Sequence, residues 1–121
     1  MKTFDVIALG ELNVDLILNR IAGFPEVGKE IFARDMICTL GSSTAIFAAN
    51  VSALGARTAF AGMIGRDAFG ELVRGSLEAR GVDTRYVIEA ADRATGVTVV
   101  MSYGEDRANV TYPGAMEALR F

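Results

Sequence analysis

Apolar residues recur along this chain in two alternating spacings, which predict strands and helices in turn. Residues 4–9 form a short, mostly apolar run, a pattern typical of a strand that is buried on both faces of a parallel sheet. Two further short strands are predicted at residues 57–61 and 86–88. Because parallel neighbours need a crossover connection, we expect the segments between these strands to form helices that cover the sheet.

Local capping signals give the bounds of two predicted helices. Ser43 or Thr44 is the predicted N-cap of the first helix, which runs to about Leu54 before Gly55 ends it. Its inner face is predicted to contain Phe47, Val51 and Leu54. The second helix follows Asp67, a predicted N-cap, and ends at Gly81. Its inward-facing positions follow the i, i+3, i+4 spacing of a helix and comprise Phe69, Leu72, Val73, Ser76 and Leu77.

Other segments leave this alternation and are predicted to build a small antiparallel flap. Residues 30–39 mix apolar and polar side chains in the manner of an exposed strand. Residues 96–103 and 107–112 flank a polar turn and predict a β-hairpin beside the first excursion. The predicted fold class is therefore α/β, with parallel strands, covering helices and an antiparallel flap (lid) built from segments of about 16–40 and 95–113.

The composition and charge of the chain exclude several kinds of partner and site. The 121 residues, 51% of them hydrophobic and 22% charged, are typical of one folded unit. A net charge of −3 without a basic stripe argues against nucleic acid or an anionic membrane as a partner. The single Cys38 excludes an internal disulfide, and the lack of histidine excludes a zinc site or a histidine-based triad. Met1-Lys2-Thr3 leads into the first strand without a signal-peptide pattern, so we expect a cytoplasmic protein.

Polar turns are predicted to meet at one edge of the sheet. Asp15 comes just past the first strand, the Leu40-Gly41-Ser42 turn opens the first helix, and residues 62–67 follow the second strand. Ligands of parallel α/β sheets bind at the carboxyl ends of the strands. Because a carboxylate accepts hydrogen bonds from several hydroxyl groups, Asp15 and the turn at Gly41 predict a pocket for a small polyhydroxylated ligand.

Several short motifs follow one another in a specific order. They are Gly10-Glu11-Leu12-Asn13-Val14-Asp15, residues 25–28, Leu40-Gly41-Ser42, Gly62-x-x-Gly65-x-Asp67-x-x-Gly70, Gly81-Val82-Asp83 and the ending Pro113-Gly114-Ala115. Together they resemble the amino-terminal half of a PfkB (ribokinase-like) carbohydrate kinase, over nearly the whole chain. The resemblance implies ATP-dependent transfer of a γ-phosphoryl group to a hydroxyl of a sugar or nucleoside. It also implies a flap that closes over the sugar and, in many members, pairs two subunits.

The resemblance also implies substrate-binding residues. Asp15 would accept hydrogen bonds from sugar hydroxyls, while Gly41 and Ser42 would offer backbone N–H groups at the start of a helix. Asp106 or Arg107, at the flap, would close over the same ligand. Each residue also has a plainer interpretation, because Asp15 could cap a turn and the flap pair could be a solvated hairpin tip.

This chain departs from the family pattern at two positions. Ser42 stands where a second glycine is usual, and Ile46 stands where a sugar-binding asparagine is usual. Asn50 lies one helical turn further, about 6 Å along the axis, and is the candidate replacement unless it is only a satisfied polar residue of the helix. The identity of the sugar therefore stays open.

The catalytic parts of the family come from its carboxyl-terminal half, where a Gly-Ala-Gly-Asp motif supplies the base. That motif does not occur in the 121 residues. We therefore expect residues 1–121 to be a truncated ribokinase-like portion without catalytic or cofactor-binding residues and without kinase activity alone. ATP and Mg²⁺ are implied for the full-length family and are not expected to bind this chain.

Two other functions stay open. One is a structural or dimerisation module whose flap strands pair with a second copy. A small nucleotide-binding Rossmann-like domain is the third possibility. The glycines at positions 62, 65 and 70 have the spacing G-x-x-G-x-x-x-x-G rather than G-x-G-x-x-G, which favours tight turning and helix–sheet packing over phosphate contact.

Overall fold

The computed structural model describes residues 3–119, which form two sheets. The strands are β1 (Val6–Leu9), β2 (Asn13–Ile21), β3 (Ala33–Leu40), β4 (Thr58–Gly65), β5 (Asp83–Ala90), β6 (Gly96–Tyr103) and β7 (Asp106–Tyr112). The helices are α1 (Ser43–Ala53) and α2 (Ala68–Ala79), followed near the end by a 3-10 helix (Gly114–Ala118). Residues 1–2, which belong to the segment examined for a signal peptide, and residues 120–121 lie outside the described residues. Within residues 3–119, no helix is both long and apolar enough to cross a lipid bilayer.

The first sheet is the predicted parallel layer. Its strands lie in the order β1-β4-β5, and both pairs are parallel. Both helices contribute buried side chains to one core with β4, which contains Phe60, Ile64, Val73 and Leu77 among others. The opposite face of this sheet exposes large apolar side chains: Ile7, Leu9, Tyr86 and Ile88. The α/β prediction is confirmed, with helices that cover one face of the sheet.

The second sheet is the predicted flap, with the strand order β3-β2-β6-β7. The outer pairs β2–β3 and β6–β7 are antiparallel, and the central pair β2–β6 is parallel. Both central strands leave the first sheet, β2 after β1 and β6 after β5, so they run in the same direction. The flap is therefore a mixed sheet, in which the two predicted segments lie side by side.

The predicted inner face and cap of α1 are wrong. The buried residues of α1 are Ala45, Ala48 and Ala49, whereas Phe47 is 46% exposed and Leu54 is 88% exposed. Short alanine side chains let the helix lie close to the sheet, and a Cβ on Gly10 would lie 3.0 Å from the Thr44 side chain. The helix begins one residue earlier than predicted, with Ser42 at the N-cap position.

The cap of α2 is confirmed. The Asp67 carboxylate accepts a hydrogen bond from the Gly70 backbone N–H at 2.8 Å, and Gly81 follows the helix with a φ of +86°. Burial raises the pKa of Asp67, but hydrogen bonds from the Thr95 side chain and backbone and from the Gly70 backbone outweigh burial and hold this pKa below its usual value. Asp67 is therefore ionised at neutral pH, as a charged cap requires.

Candidate functional site

Asp15 and Gly41 lie side by side at the base of the flap. Asp15 is the third residue of β2 rather than a loop residue after β1, and it pairs with Thr39 of β3. The Gly41 backbone N–H donates to the Asn13 carbonyl oxygen at 2.9 Å. A Cβ on Gly41 would lie 2.5 Å from the Asp15 Oδ1 atom, so the carboxylate occupies space that only glycine leaves free. The two predicted motifs therefore meet in one place.

Asn13 holds the Asp15 carboxylate and was not predicted as a site residue. Its Nδ2 group donates to Asp15 Oδ1 at 3.2 Å and to the Thr98 hydroxyl at 3.2 Å, and the residue is only 6% exposed. The signal was present in the sequence, because residues two apart on a strand share a face. The motif Asn13-Val14-Asp15 therefore places an amide and a carboxylate together.

A row of polar side chains extends from Asp15 across the flap. The pairing register places Thr39, Asp15, Thr98 and Thr111 in one row over four strands. The Thr98 and Thr111 hydroxyl oxygens lie 3.0 Å apart and share a hydrogen bond. Hydroxyl groups donate and accept, whereas an ionised carboxylate only accepts. This face can therefore match the mixed donors and acceptors of a polyol.

Ser42 adopts a backbone conformation that favours glycine. Its φ is 68° and its ψ is 124°, and its side chain makes no capping hydrogen bond within the part of the chain that the structure describes. A positive φ costs a residue with a Cβ roughly 1 kcal/mol or more. The strain occurs at the start of α1, where backbone N–H groups without helical acceptors can bind a ligand oxygen.

We expect Ser42→Gly to raise the free energy of unfolding by about 1 kcal/mol, because glycine adopts this conformation without strain. Urea unfolding followed by circular dichroism measures the change. Ser43→Gly is the matched control, since Ser43 is already helical and glycine lowers helix propensity there. Equal effects of the two substitutions would contradict the assignment of strain to Ser42.

Asn50 does not lie in the Asp15 cluster. It is exposed on α1 and lines a groove of about 360 Å³ between α1, α2 and the end of β3. Ile46, Thr39, Ser76 and Arg80 also line this groove, and Asp15 lies outside it. Thr39 belongs both to this groove and to the strand pair that contains Asp15, so the groove borders the Asp15 cluster. Contact between Asn50 and a ligand held by Asp15 therefore stays a prediction.

The predicted flap-tip residues differ in the face that they occupy. Arg107 and Thr111 lie on β7 an even number of residues apart, so they share the polar face, at a separation of roughly 13 Å along the strand. Arg107 lines a cleft of about 340 Å³ with Asn19, Ser102 and other residues of the same face. By the same alternation, Asp106 lies on the opposite face. Arg107 could approach a ligand at Asp15 only if the flap bends.

A comparison with protein families decides the relationship. The model described as pfkB family carbohydrate kinase matches residues 3–121. This chain belongs to the pfkB family. No curated protein matches it significantly.

Solved structures of pfkB-type kinases share this fold. The fructokinase of Halothermothrix orenii matches with a TM-score of 0.81 and 27% identity, over 96% of this chain and 40% of the kinase. The ribokinase of Arabidopsis thaliana, solved with ribose and ATP, matches with a TM-score of 0.83 and 28% identity, over 94% of this chain and 37% of the kinase. The ribokinase of Cryptococcus neoformans, solved with ADP, matches with a TM-score of 0.76 and 26% identity, over 91% and 35%. The chain thus spans about two fifths of the length of these structures.

The polar groups of the Asp15 cluster indicate which kind of ligand they could bind. Within residues 3–119, no three acidic or cysteine side chains come together in a way that suits a metal ion. The Asp15 cluster combines one carboxylate with neutral amide and hydroxyl groups, which suits a neutral ligand with several hydroxyls better than a phosphate. The arrangement can bind and orient a polyol.

Proposed function

We propose that this chain is the sugar-binding and lid portion of an ATP-dependent carbohydrate kinase that phosphorylates a hydroxyl of a sugar or nucleoside. The contact of the Asp15 carboxylate with Gly41 at the base of the flap carries the proposal. Membership of the pfkB family supports it, as does the likeness to a fructokinase and to a ribokinase solved with ribose. Residues 1–121 would form the amino-terminal portion of the domain, with flap segments of about 16–40 and 95–113.

Each proposed binding residue has a distinct task. Asp15 accepts hydrogen bonds from sugar hydroxyls, and Asn13 fixes the orientation of its carboxylate. Gly41 allows close approach, and the backbone N–H groups that follow Ser42 offer donors at the helix start. Arg107 would join when the flap closes, Asn50 would approach from the groove that Thr39 also lines, and Asp106 is an outer candidate because it lies on the opposite flap face.

Phosphoryl transfer needs parts beyond these. A nucleotide cradle, a metal that bridges phosphates and a group that orients the attacking hydroxyl are all required. We propose that ATP and Mg²⁺ serve the longer kinase and that this chain alone is inactive. We also propose that the kinase acts in the cytoplasm, where ATP is available.

Calorimetric titration of the chain with D-ribose and D-fructose tests the binding proposal, and a coupled ATP-turnover assay with the same sugars tests the inactivity. We expect binding of at least one sugar and no turnover. The absence of binding to a wider panel of sugars and nucleosides would contradict the sugar-binding proposal. Robust turnover would contradict the proposal that the chain is inactive by itself.

A second candidate function is pairing with another copy through the flap. Apolar residues on the flap face opposite Asp15 are exposed, with Met36 at 64%, Val110 at 62% and Tyr112 at 57%. The flap also has two edge strands, β3 and β7, whose outer backbone groups can pair. Together these features favour a homodimer built from flap strands.

Sedimentation velocity at several concentrations measures this association. We expect dimers that dissociate on dilution, and we expect Val110→Lys to shift the equilibrium towards the monomer because it places a charge in the apolar face. Glu105→Lys, at the exposed hairpin turn, is the control for the added charge. A wild-type chain that remains monomeric at all concentrations would contradict the pairing.

A further inference from the structure

The Asp67 carboxylate joins α2 to the strands on either side of it. Oδ1 accepts hydrogen bonds from the Gly70 backbone N–H at 2.8 Å and from the Thr95 hydroxyl at 2.6 Å. Oδ2 accepts a hydrogen bond from the Thr95 backbone N–H at 2.9 Å. The Thr95 hydroxyl oxygen in turn accepts from the Gly65 backbone N–H, at the end of β4, at 2.8 Å. A helix cap needs only the bond to Gly70, so the two bonds to Thr95 require another explanation.

The backbone around this junction is closely packed. Thr95 is only 1% exposed. A Cβ on Gly65 would lie 2.6 Å from the Thr95 nitrogen, and a Cβ on Gly70 would collide with the Gly65 carbonyl oxygen. These contacts account for two glycines of the Gly62/Gly65/Gly70 set as packing positions. The junction therefore has little freedom to shift while the bonds to Asp67 are intact.

Thr95 is the last residue before β6, so Asp67 holds the place where this flap strand begins. Gly96 pairs with Asn13, and Thr98 pairs with Asp15. The Asn13 amide bonds both the Asp15 carboxylate and the Thr98 hydroxyl. A continuous series of contacts thus leads from Asp67 through β6 to the Asp15 cluster.

We propose that Asp67 is a positioning residue for the carbohydrate site, which holds the start of β6 against the α/β layer and thereby sets the place of Thr98 and Asn13 beside Asp15. The part of this inference that concerns sugar affinity rests on the proposed function. The part that concerns the position of β6 does not.

Paired variants separate this task from helix capping. Asp67→Ser keeps an N-cap hydroxyl for Gly70, but one short side chain cannot also reach both groups of Thr95. Thr95→Val removes the hydroxyl with nearly the same shape, and Thr95→Ser retains it. Asp83→Ser is the matched control, because the Asp83 carboxylate at the start of β5 bonds Arg85 of the same strand.

Amide hydrogen exchange measured by NMR reports the position of β6 directly. In Asp67→Ser and Thr95→Val we expect exchange at residues 96–98 to be about tenfold faster, with shifted amide resonances at Asn13 and Asp15, while Val73 and Leu77 of α2 change less than about twofold. Thr95→Ser and Asp83→Ser are expected to resemble the wild type. Equal acceleration in α2 and β6, or no acceleration at residues 96–98, would overturn the proposal.

Titration with D-ribose and D-fructose tests the consequence for binding. For a sugar that the wild type binds, we expect about tenfold weaker affinity in Asp67→Ser and Thr95→Val, and near wild-type affinity in Thr95→Ser. Wild-type affinity in Asp67→Ser would overturn the proposal. If the wild type binds neither these sugars nor any member of the wider panel of sugars and nucleosides, the proposed function fails, and the exchange and resonance data alone decide whether Asp67 positions β6.

Discussion

Asp15→Asn is expected to weaken sugar binding by roughly 100-fold or more, which is the largest effect on binding that the structure predicts. The carboxylate accepts charge-assisted hydrogen bonds, and an amide of the same shape loses the charge and half of the accepting atoms. The amide would also place a donor near the Asn13 Nδ2 group, which now donates to Asp15. The substitution therefore disturbs both the ligand contact and its support.

Calorimetric titration with the sugar that the wild type binds measures this loss. Asp35→Asn is the matched control, because Asp35 lies on β3 of the same flap but is ion-paired with Arg20 at 2.6 Å. We expect the control to retain wild-type affinity and to remain folded, since surface ion pairs contribute little to stability. Retained affinity in Asp15→Asn would remove the central residue of the proposed site.

Phe60→Ala is expected to lower the free energy of unfolding by about 3–5 kcal/mol, the largest effect on stability. Phe60 lies on the central strand β4 with no exposed surface and belongs to the core that both helices share. Truncation leaves a cavity that the surrounding residues fill only in part. The free energy of unfolding of a native protein is typically only about 5–15 kcal/mol, so this loss is a large fraction of the total stability.

Phe47→Ala is the matched control for the core substitution. Phe47 is 46% exposed on α1, so its truncation is expected to change the free energy of unfolding by less than about 1 kcal/mol. Urea unfolding of both variants gives the two values. If Phe47→Ala lowered the free energy of unfolding as much as Phe60→Ala does, Phe47 would have to be buried, as the helical periodicity predicted.

Local signals in the sequence were enough to predict most elements. The Asp67 cap, the glycine after α2 and the hairpin around residues 104–105 depend on contacts between residues a few positions apart. The motifs around Asp15 and Gly41 indicated the family because their order and spacing can be read directly along the sequence. These features could be predicted because neighbours along the chain determine them.

The face of α1 could not be predicted in the same way. Both Phe47 with Val51 and the alanines at 45, 48 and 49 follow a helical spacing, so periodicity alone did not choose between them. The packing of α1 against the sheet decided it, because Ala45 and Ala48 are fully buried in the core with Phe60, whereas Phe47 is 46% exposed. The bridge from Asn13 to Thr98 was missed for a related reason, since the two residues are 85 positions apart.

By itself, the sequence determined the α/β class, the order of the elements and the family, because capping, turns and alternation act over a few residues. Only the tertiary structure decided the parallel pairing of β2 with β6, the inner face of α1 and the placement of Asp106 on the flap face opposite Asp15. These depend on strand register and on packing between distant segments. A local pattern contains neither, because the same spacing of side chains is compatible with more than one partner.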